Sequence, residues 1–210
     1  MKKQIIILGF IFSVFALQGQ QGFDWIKVCG HPFYGETTSI LDSDAEGNLY
    51  FVGTYMDTAY FGDEQIISSG GTDIFISKYT SGGELLRLKR DGGEDFDYIH
   101  GLSVNDDGIF TIGTFYGNTV MGTETYSSMG SKDIYVARYG TEGNFLWAKH
   151  IGSPKTDYIN AVDTDPFGNM IITGHYYDSI SFGDTMLYAA GGSDIFLAKY
   201  DVGATGSIKH

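Results

Sequence analysis

The feature that most constrains this chain is a phrase it contains three times. GTDIFISKY at 71–79 returns as SKDIYVARY at 131–139 and as GSDIFLAKY at 192–200. The register of 60 to 62 residues holds well beyond that phrase. Gly47, Gly108 and Gly168 correspond, as do Gly53, Gly113 and Gly174, and then the pairs Phe61-Gly62, Met121-Gly122 and Phe182-Gly183. WIKVCG (25–30), RLKRDG (87–92) and WAKHIG (147–152) follow the same spacing. Matches at so many separated positions define tandem structural units, about 23–90, 91–150 and 151–210, the last one truncated, within a repeat domain spanning 20–210.

Each unit reads as short strands. In the first, 38–43, 49–55, 73–80 and 84–90 are rich in β-branched and aromatic residues and are separated by Gly-containing turns. SDAEGN, NDDG and TDPFGN place Asp or Asn ahead of Gly, which supplies side-chain-to-backbone bonds and tolerates positive φ, so these turns join strands as hairpins. Along DIFISKY, Ile74, Ile76 and Lys78 share one face and Phe75, Ser77 and Tyr79 the other. Both faces are largely apolar and both need cover. The aromatic-small-aromatic face leaves a notch at Ser77, Ala137 or Ala198 into which a neighbouring sheet can press. The expected fold class is all-β: β-propeller-type tandem repeats, three four-stranded blades of about 60 residues stacked face to face, in an incomplete propeller.

The set W-x-K-x-x-G, D-x-x-G-N, strand-then-G and G-G-x-D-I-F-x-x-K-Y resembles the bacterial β-propeller repeat family labelled SBBP, over residues 23–210. The resemblance implies an exported repeat protein and leaves the ligand unassigned. The middle unit departs from the pattern, with Arg87 at the Trp position and no Asn after Gly108. Three units are awkward, because closed propellers take about four to eight blades. The outer-strand phrase stands before the first full unit as DWIKVCG and recurs in degraded form as GSIKH. Two explanations compete: the favoured one, that the chain is the front part of a longer reading frame, and self-association, for instance two copies closing one ring.

Residues 1–19 pair Lys2 and Lys3 with an apolar run from Ile5 to Leu17 and a polar end, the pattern of a signal peptide. The run is shorter than the roughly 20 residues a spanning helix needs. A secreted or cell-surface protein is expected, with the periplasm as an alternative. The single cysteine, Cys29, permits no internal disulfide framework and reads as a small buried hydrophobe. The formal charge of −13 disfavours nucleic acid and anionic membranes as partners.

The sequence is poor in reaction chemistry. None of His31, His100, His150, His175 and His210 lies at a zinc spacing, and no phosphate-binding loop or nucleophile elbow occurs. His175 replaces Thr54 and Thr114 of the other units, so a site-forming histidine there is conceivable beside the plainer rim reading. Asp95 and Asp97 form an acidic pair, but Asp97 is repeated as Asp157, which points to structure rather than catalysis. An enzyme is not expected; a glycan-active hydrolase is the lesser alternative. Asp42 and Asp44 in DSDAEGN, and Asp163 and Asp165 in DTDPFGN, weakly resemble calcium loops, with hairpin turns the preferred reading and no cofactor expected otherwise. Asp73, Asp133 and Asp194 are expected to bond backbone amides where the repeated strand starts. Tyr55, Tyr116, Tyr176 and Tyr177 lie in the connections between second and third strands, where they either pack on the next blade or stack on a sugar or protein partner at the cell surface. The expected function is an exported, non-enzymatic interaction, adhesion or scaffold module; the alternative is a glycan-binding or glycan-processing propeller of which this is a fragment.

Overall fold

The structure, a computed structural model, describes residues 24–30 and 39–201. The expected signal peptide, His31, the GSIKH phrase and His210 lie outside the described residues. Every regular element among the described residues is a β-strand. The first sheet contains β1 (Cys29–Gly30), β2 (Ser39–Ser43), β3 (Leu49–Phe61), β4 (Glu64–Tyr79) and β5 (Leu85–Asp91). Strands β2 to β5 form an antiparallel meander, with β1 attached only to the far end of β3. The second unit holds β6 (Asp97–Asn105), β7 (Gly108–Phe115), β8 (Asn118–Met121), β9 (Glu124–Ser127), β10 (Asp133–Tyr139) and β11 (Phe145–Ile151). Its sheet runs β6-β7-β10-β11, and β8-β9 stand apart as a hairpin. The third unit holds β12 (Tyr158–Thr164), β13 (Met170–Tyr176), β14 (Ser179–Phe182), β15 (Thr185–Tyr188) and β16 (Asp194–Tyr200). Its sheet is β12-β13-β16, with β14-β15 as the hairpin, so its expected fourth strand falls outside the described residues.

The fold is therefore all-β, made of propeller-type repeat sheets that close no barrel. GTDIFISKY and its copies supply the third strand of each sheet. The connections that follow the second strand are not loops throughout. In the first unit, β3 and β4 continue pairing from Thr58↔Ile67 to Phe61↔Glu64, and β8-β9 and β14-β15 are the equivalent hairpins. Each hairpin turns at a glycine with positive φ, Gly62, Gly122 or Gly183, a backbone state that costs glycine little. Each also begins at a left-handed residue, Asp57 (φ 61°), Gly117 (φ 54°) or Asp178 (φ 64°), which swings the hairpin away from the sheet it leaves.

The core lies between the sheets. Ile74 and Ile76 of β4, with Tyr50 and Val52 of β3, bury against Tyr135, Ala137 and Tyr139 of β10. Ile134 and Val136, on the opposite face of β10, bury against Phe196 and Tyr200 of β16 and Met170 and Ile172 of β13. The notch works as follows: Ala137 is fully buried between its two tyrosines, and the isoleucine row of the preceding blade fills the space. Ser77 is also fully buried and donates its hydroxyl to the Phe51 carbonyl. Gly53, Gly113 and Gly174 each pair with the first aromatic of the third strand, Phe75, Tyr135 and Phe196. At Gly113 a Cβ would come within 2.4 Å of the Tyr135 ring, so the ring lies where a side chain would stand. Cys29 is half-buried rather than enclosed, with its Sγ 3.5 Å from the Tyr79 hydroxyl.

Candidate functional site

Two adjoining units bring their aromatic residues to one rim, where first strands begin and second strands end. The connection is built on a capped turn ahead of each third strand. Asp73 Oδ2 accepts from the Ser69 amide (2.7 Å), Asp133 Oδ2 from the Met129 amide (2.7 Å) and Asp194 Oδ2 from the Ala190 amide (2.9 Å). A side chain of the outer strand then reaches the same oxygen: Arg90 Nη1 lies 3.5 Å from Asp73 Oδ2, and His150 Nε2 lies 2.5 Å from Asp133 Oδ2. The next unit starts directly against this turn. Asp157 donates its amide to the Lys132 carbonyl (3.0 Å), and Thr72 forms a parallel bridge with Phe96.

Tyr98 is the second residue of β6 and Tyr158 the first of β12, while Tyr116 and Tyr177 follow the ends of β7 and β13. Phe96 and Tyr98 lie nearly parallel at 6.5 Å, and both meet Tyr116 edge-on at 6.4 Å. In the third unit, Tyr158 stacks on His175 at 4.4 Å, and both meet Tyr177 edge-on. Lys132 Nζ lies 4.0 Å from the centre of the Tyr158 ring, a cation–π contact that links the second unit to the third. Burial holds the Lys132 ammonium below its usual range. The result is a ledge of aromatic rings across two blades. Phe96 and Tyr177 are each 43% exposed.

The four tyrosines singled out from sequence occupy two different repeat positions. Tyr55, Phe115 and Tyr176 correspond, and all are buried: Tyr55 packs with Phe61 and Phe75, and Tyr176 lies in the core between the second and third sheets. Met56, Tyr116 and Tyr177 are the next position along, on the rim. The ledge thus unites Tyr116, Tyr177 and His175 and excludes Tyr55 and Tyr176. Phe96, Tyr98, Tyr158 and Lys132 were not singled out. The DYI written at both 97–99 and 157–159 was the available signal for the two tyrosines. His100 occupies a bulge of β6 and pairs with Thr114 through Nε2 (2.9 Å); Asn160, in the equivalent bulge, faces His175 Nδ1 at 3.3 Å.

The acidic candidates separate. Asp95 is exposed, whereas Asp97 is fully buried and accepts from the Gly93 amide (2.7 Å). Burial pushes the Asp97 carboxyl up to about 7, and that of the equivalent Asp157 up to about 6. Asp44 and Asp165 bind their own turns, each accepting from the amide of the closing Asn48 or Asn169, and each pairs with a lysine, Lys78 at 3.6 Å or Lys199 in direct contact. The bonds to Asn169 and Lys199 hold the Asp165 carboxyl below the usual carboxylate range. Asp163 accepts from the Thr164 amide, and Asp42 from the Ser43 amide and from Val104 of the next unit. These carboxylates thus serve turns and the junction between the first two units. Among the described residues, no group of three or more His, Cys, Asp or Glu side chains is arranged so that it could hold a metal ion.

Fold and rim together define a class: a propeller-type repeat array with a ledge of aromatic rings on its rim. No family model matches the chain. It is similar to an uncharacterized WD repeat-containing protein of Acanthamoeba polyphaga mimivirus, 33% identical over 75 residues, a match covering 36% of this chain and 5% of that protein. The similarity is distant and hints at a repeat or propeller family; the chain spans a small part of the relative's length.

Proposed function

We propose that this protein is an exported, non-enzymatic propeller-type interaction module of the SBBP kind, which holds its partner on the rim ledge of the second and third blades. The observation that carries this reading is the convergence of Phe96, Tyr98, Tyr116, Tyr158 and Tyr177 from two repeats onto one partly exposed surface. Aromatic rings offer large, stiff contact area at low entropic cost, which suits recognition. Of the buried carboxylates nearby, Asp97 accepts from the Gly93 amide and Asp157 from the Ser153 hydroxyl. The first partner considered is a protein at the cell surface. A glycan is the second reading, favoured by the half-exposed rings of Phe96 and Tyr177, which could cover the apolar face of a sugar.

The test compares the full chain with the Tyr116→Ala/Tyr177→Ala double variant. A sugar retained on a glycan array by the native chain and lost by the variant selects the glycan reading. If no sugar is retained, cross-linking to isolated cell envelopes should yield an adduct that the variant fails to form. Equal behaviour of the two chains in both assays would remove the ledge from the function.

A further inference from the structure

We propose that the ledge binds an acidic polysaccharide: the Tyr98–Tyr116 and Tyr158–Tyr177 pairs form two like sugar subsites on adjoining blades, and Lys132, at the junction of those blades, takes a carboxylate of the kind a uronic acid carries. This rests on the ledge being the binding surface and on the glycan reading of it, and it names the sugar class that the reading leaves open.

The rim carries one aromatic pair twice. Tyr98 and Tyr158 hold the same repeat position, each one residue beyond a fully buried aspartate, Asp97 or Asp157. Tyr116 and Tyr177 hold another, three residues beyond Gly113 and Gly174. The two pairs meet at the same centroid distance, 6.4 Å, with interplanar angles of 76° and 67°. Tyr98, Tyr116 and Tyr158 are half-buried and Tyr177 is exposed, so all four rings keep some open surface. The first blade does not extend the row, because Met56 stands where the others have Tyr116 and Tyr177. Two like subsites one repeat apart suit a ligand that itself repeats. A polysaccharide presents the same sugar face at intervals along its length, and the C–H face of a pyranose packs on an aromatic ring as other apolar groups do. Engaging both subsites with one chain makes the second contact intramolecular, which raises affinity without new kinds of contact. A single folded protein surface carries no such built-in period.

The charge, by contrast, is placed once. Lys132 occupies the position held by Thr72 in the first unit and Ser193 in the third, directly before the aspartate that caps the turn. That aspartate, Asp133, is engaged by the Met129 amide and His150. Among the described residues Lys132 pairs with no carboxylate, whereas Lys78 and Lys199 pair with Asp44 and Asp165 where first strands end. The Lys132 ammonium instead lies over the Tyr158 ring, 4.0 Å from its centre, where the second blade meets the third. Burial lowers its proton affinity, and an anion beside it would favour the charged form again. Burial and the Lys132 charge together hold the His100 imidazole below its usual range, so His100 adds no second positive charge at neutral pH.

A single cation fixes the kind of acid. The sequence carries a formal charge of −13, which bars a partner held by a row of basic contacts. The anionic group is therefore read at one point, by a compact ammonium that suits one carboxylate, while the rings supply the contact area. That division fits a chain in which an acidic sugar stands beside sugars that stack.

The test uses the full chain in about 150 mM salt, where the net charge is screened beyond about 8 Å. Calorimetric titration compares oligosaccharides of galacturonate, of mannuronate and of hyaluronate with the same oligosaccharides after reduction of their carboxyl groups to alcohols. At least one acidic set should bind, and its reduced form should bind about tenfold or more weakly, the scale of a hydrogen bond to a charged group. Lys132→Met, with a native far-ultraviolet spectrum, should bind the acidic and reduced forms alike, and Lys132→Arg should keep the preference. The Tyr116→Ala/Tyr177→Ala chain should lose both forms. Failure of the native chain to bind any of the acidic oligosaccharides overturns the proposal, and so does a preference for the acid that Lys132→Met retains. Equal binding of acidic and reduced forms, lost in the tyrosine variant, also overturns it while leaving the ledge a glycan surface. Acidic binding that the tyrosine variant keeps removes the ledge itself.

Discussion

Asp97 has no exposed surface, yet only one of its carboxylate oxygens has a hydrogen-bond partner, the Gly93 amide. Desolvation raises its pKa from 3.8 to about 7, and the nearby Asp73 and Asp95 charges add to the shift. A carboxyl whose folded pKa lies above its unfolded value binds more protons when folded, so its contribution to stability is fully present below about pH 4 and declines as pH rises through 7. Above that pH the buried charge costs on the order of 1 to 4 kcal/mol. Asp97→Asn keeps an oxygen for Gly93 and removes the titration. Its unfolding free energy in urea should exceed that of the native chain by more at pH 8 than at pH 5; an equal difference at both would mean that Asp97 titrates normally. That Asp97 occupies a repeat position was legible in its recurrence as Asp157. That Tyr55 and Tyr176 enter the core while Tyr116 and Tyr177 reach the rim was not. One step along a strand exchanges its two faces, and the four tyrosines mix two adjacent repeat positions.

The strand framework was legible because third strands that lie between sheets carry apolar residues on both faces, the pattern read in DIFISKY and its copies. The hairpins at 58–67, 118–127 and 179–188 were hidden. They are short, and their outward positions carry Tyr60, Val120 and Met186, exposed apolar residues that blur the period. Burial on the third strand also differs from blade to blade at positions the sequence writes alike. Ile76 and Leu197 occupy one repeat position, the first 4% exposed and the second 78%. Ile76→Ala should therefore cost about 2 to 5 kcal/mol, the range for emptying a packed core site. Leu197→Ala should stay within about 0.5 kcal/mol. Denaturant midpoints at constant slope check both, and similar losses at the two sites would show that the third blade buries this face within a single chain.

At the scale of the molecule, the second blade is, among the described residues, the one with both faces covered by neighbours, so the array's cooperativity runs through it. Repeat arrays hold together by interfaces between successive units, and a unit that loses its sheet removes the support of every interface it forms. Val136 pairs with Ile112 on one side and Lys149 on the other, and its side chain lies in the junction to the third blade. Val136→Pro should break both ladders and strip two junctions at once, leaving the first and third sheets without partners. Leu197 pairs with Thr173 at the edge of the last sheet and leaves the Ile74–Tyr135 junction untouched. Amide exchange by mass spectrometry separates the two cases. With Leu197→Pro, protection should fall in peptides from 158–200 and persist in 49–79 and 97–139; with Val136→Pro it should fall throughout. If 49–79 kept its protection in the Val136→Pro chain, the first sheet with its β1 attachment would be a stable unit by itself, and the small cluster of Tyr55, Phe61 and Phe75 would have to supply that stability alone.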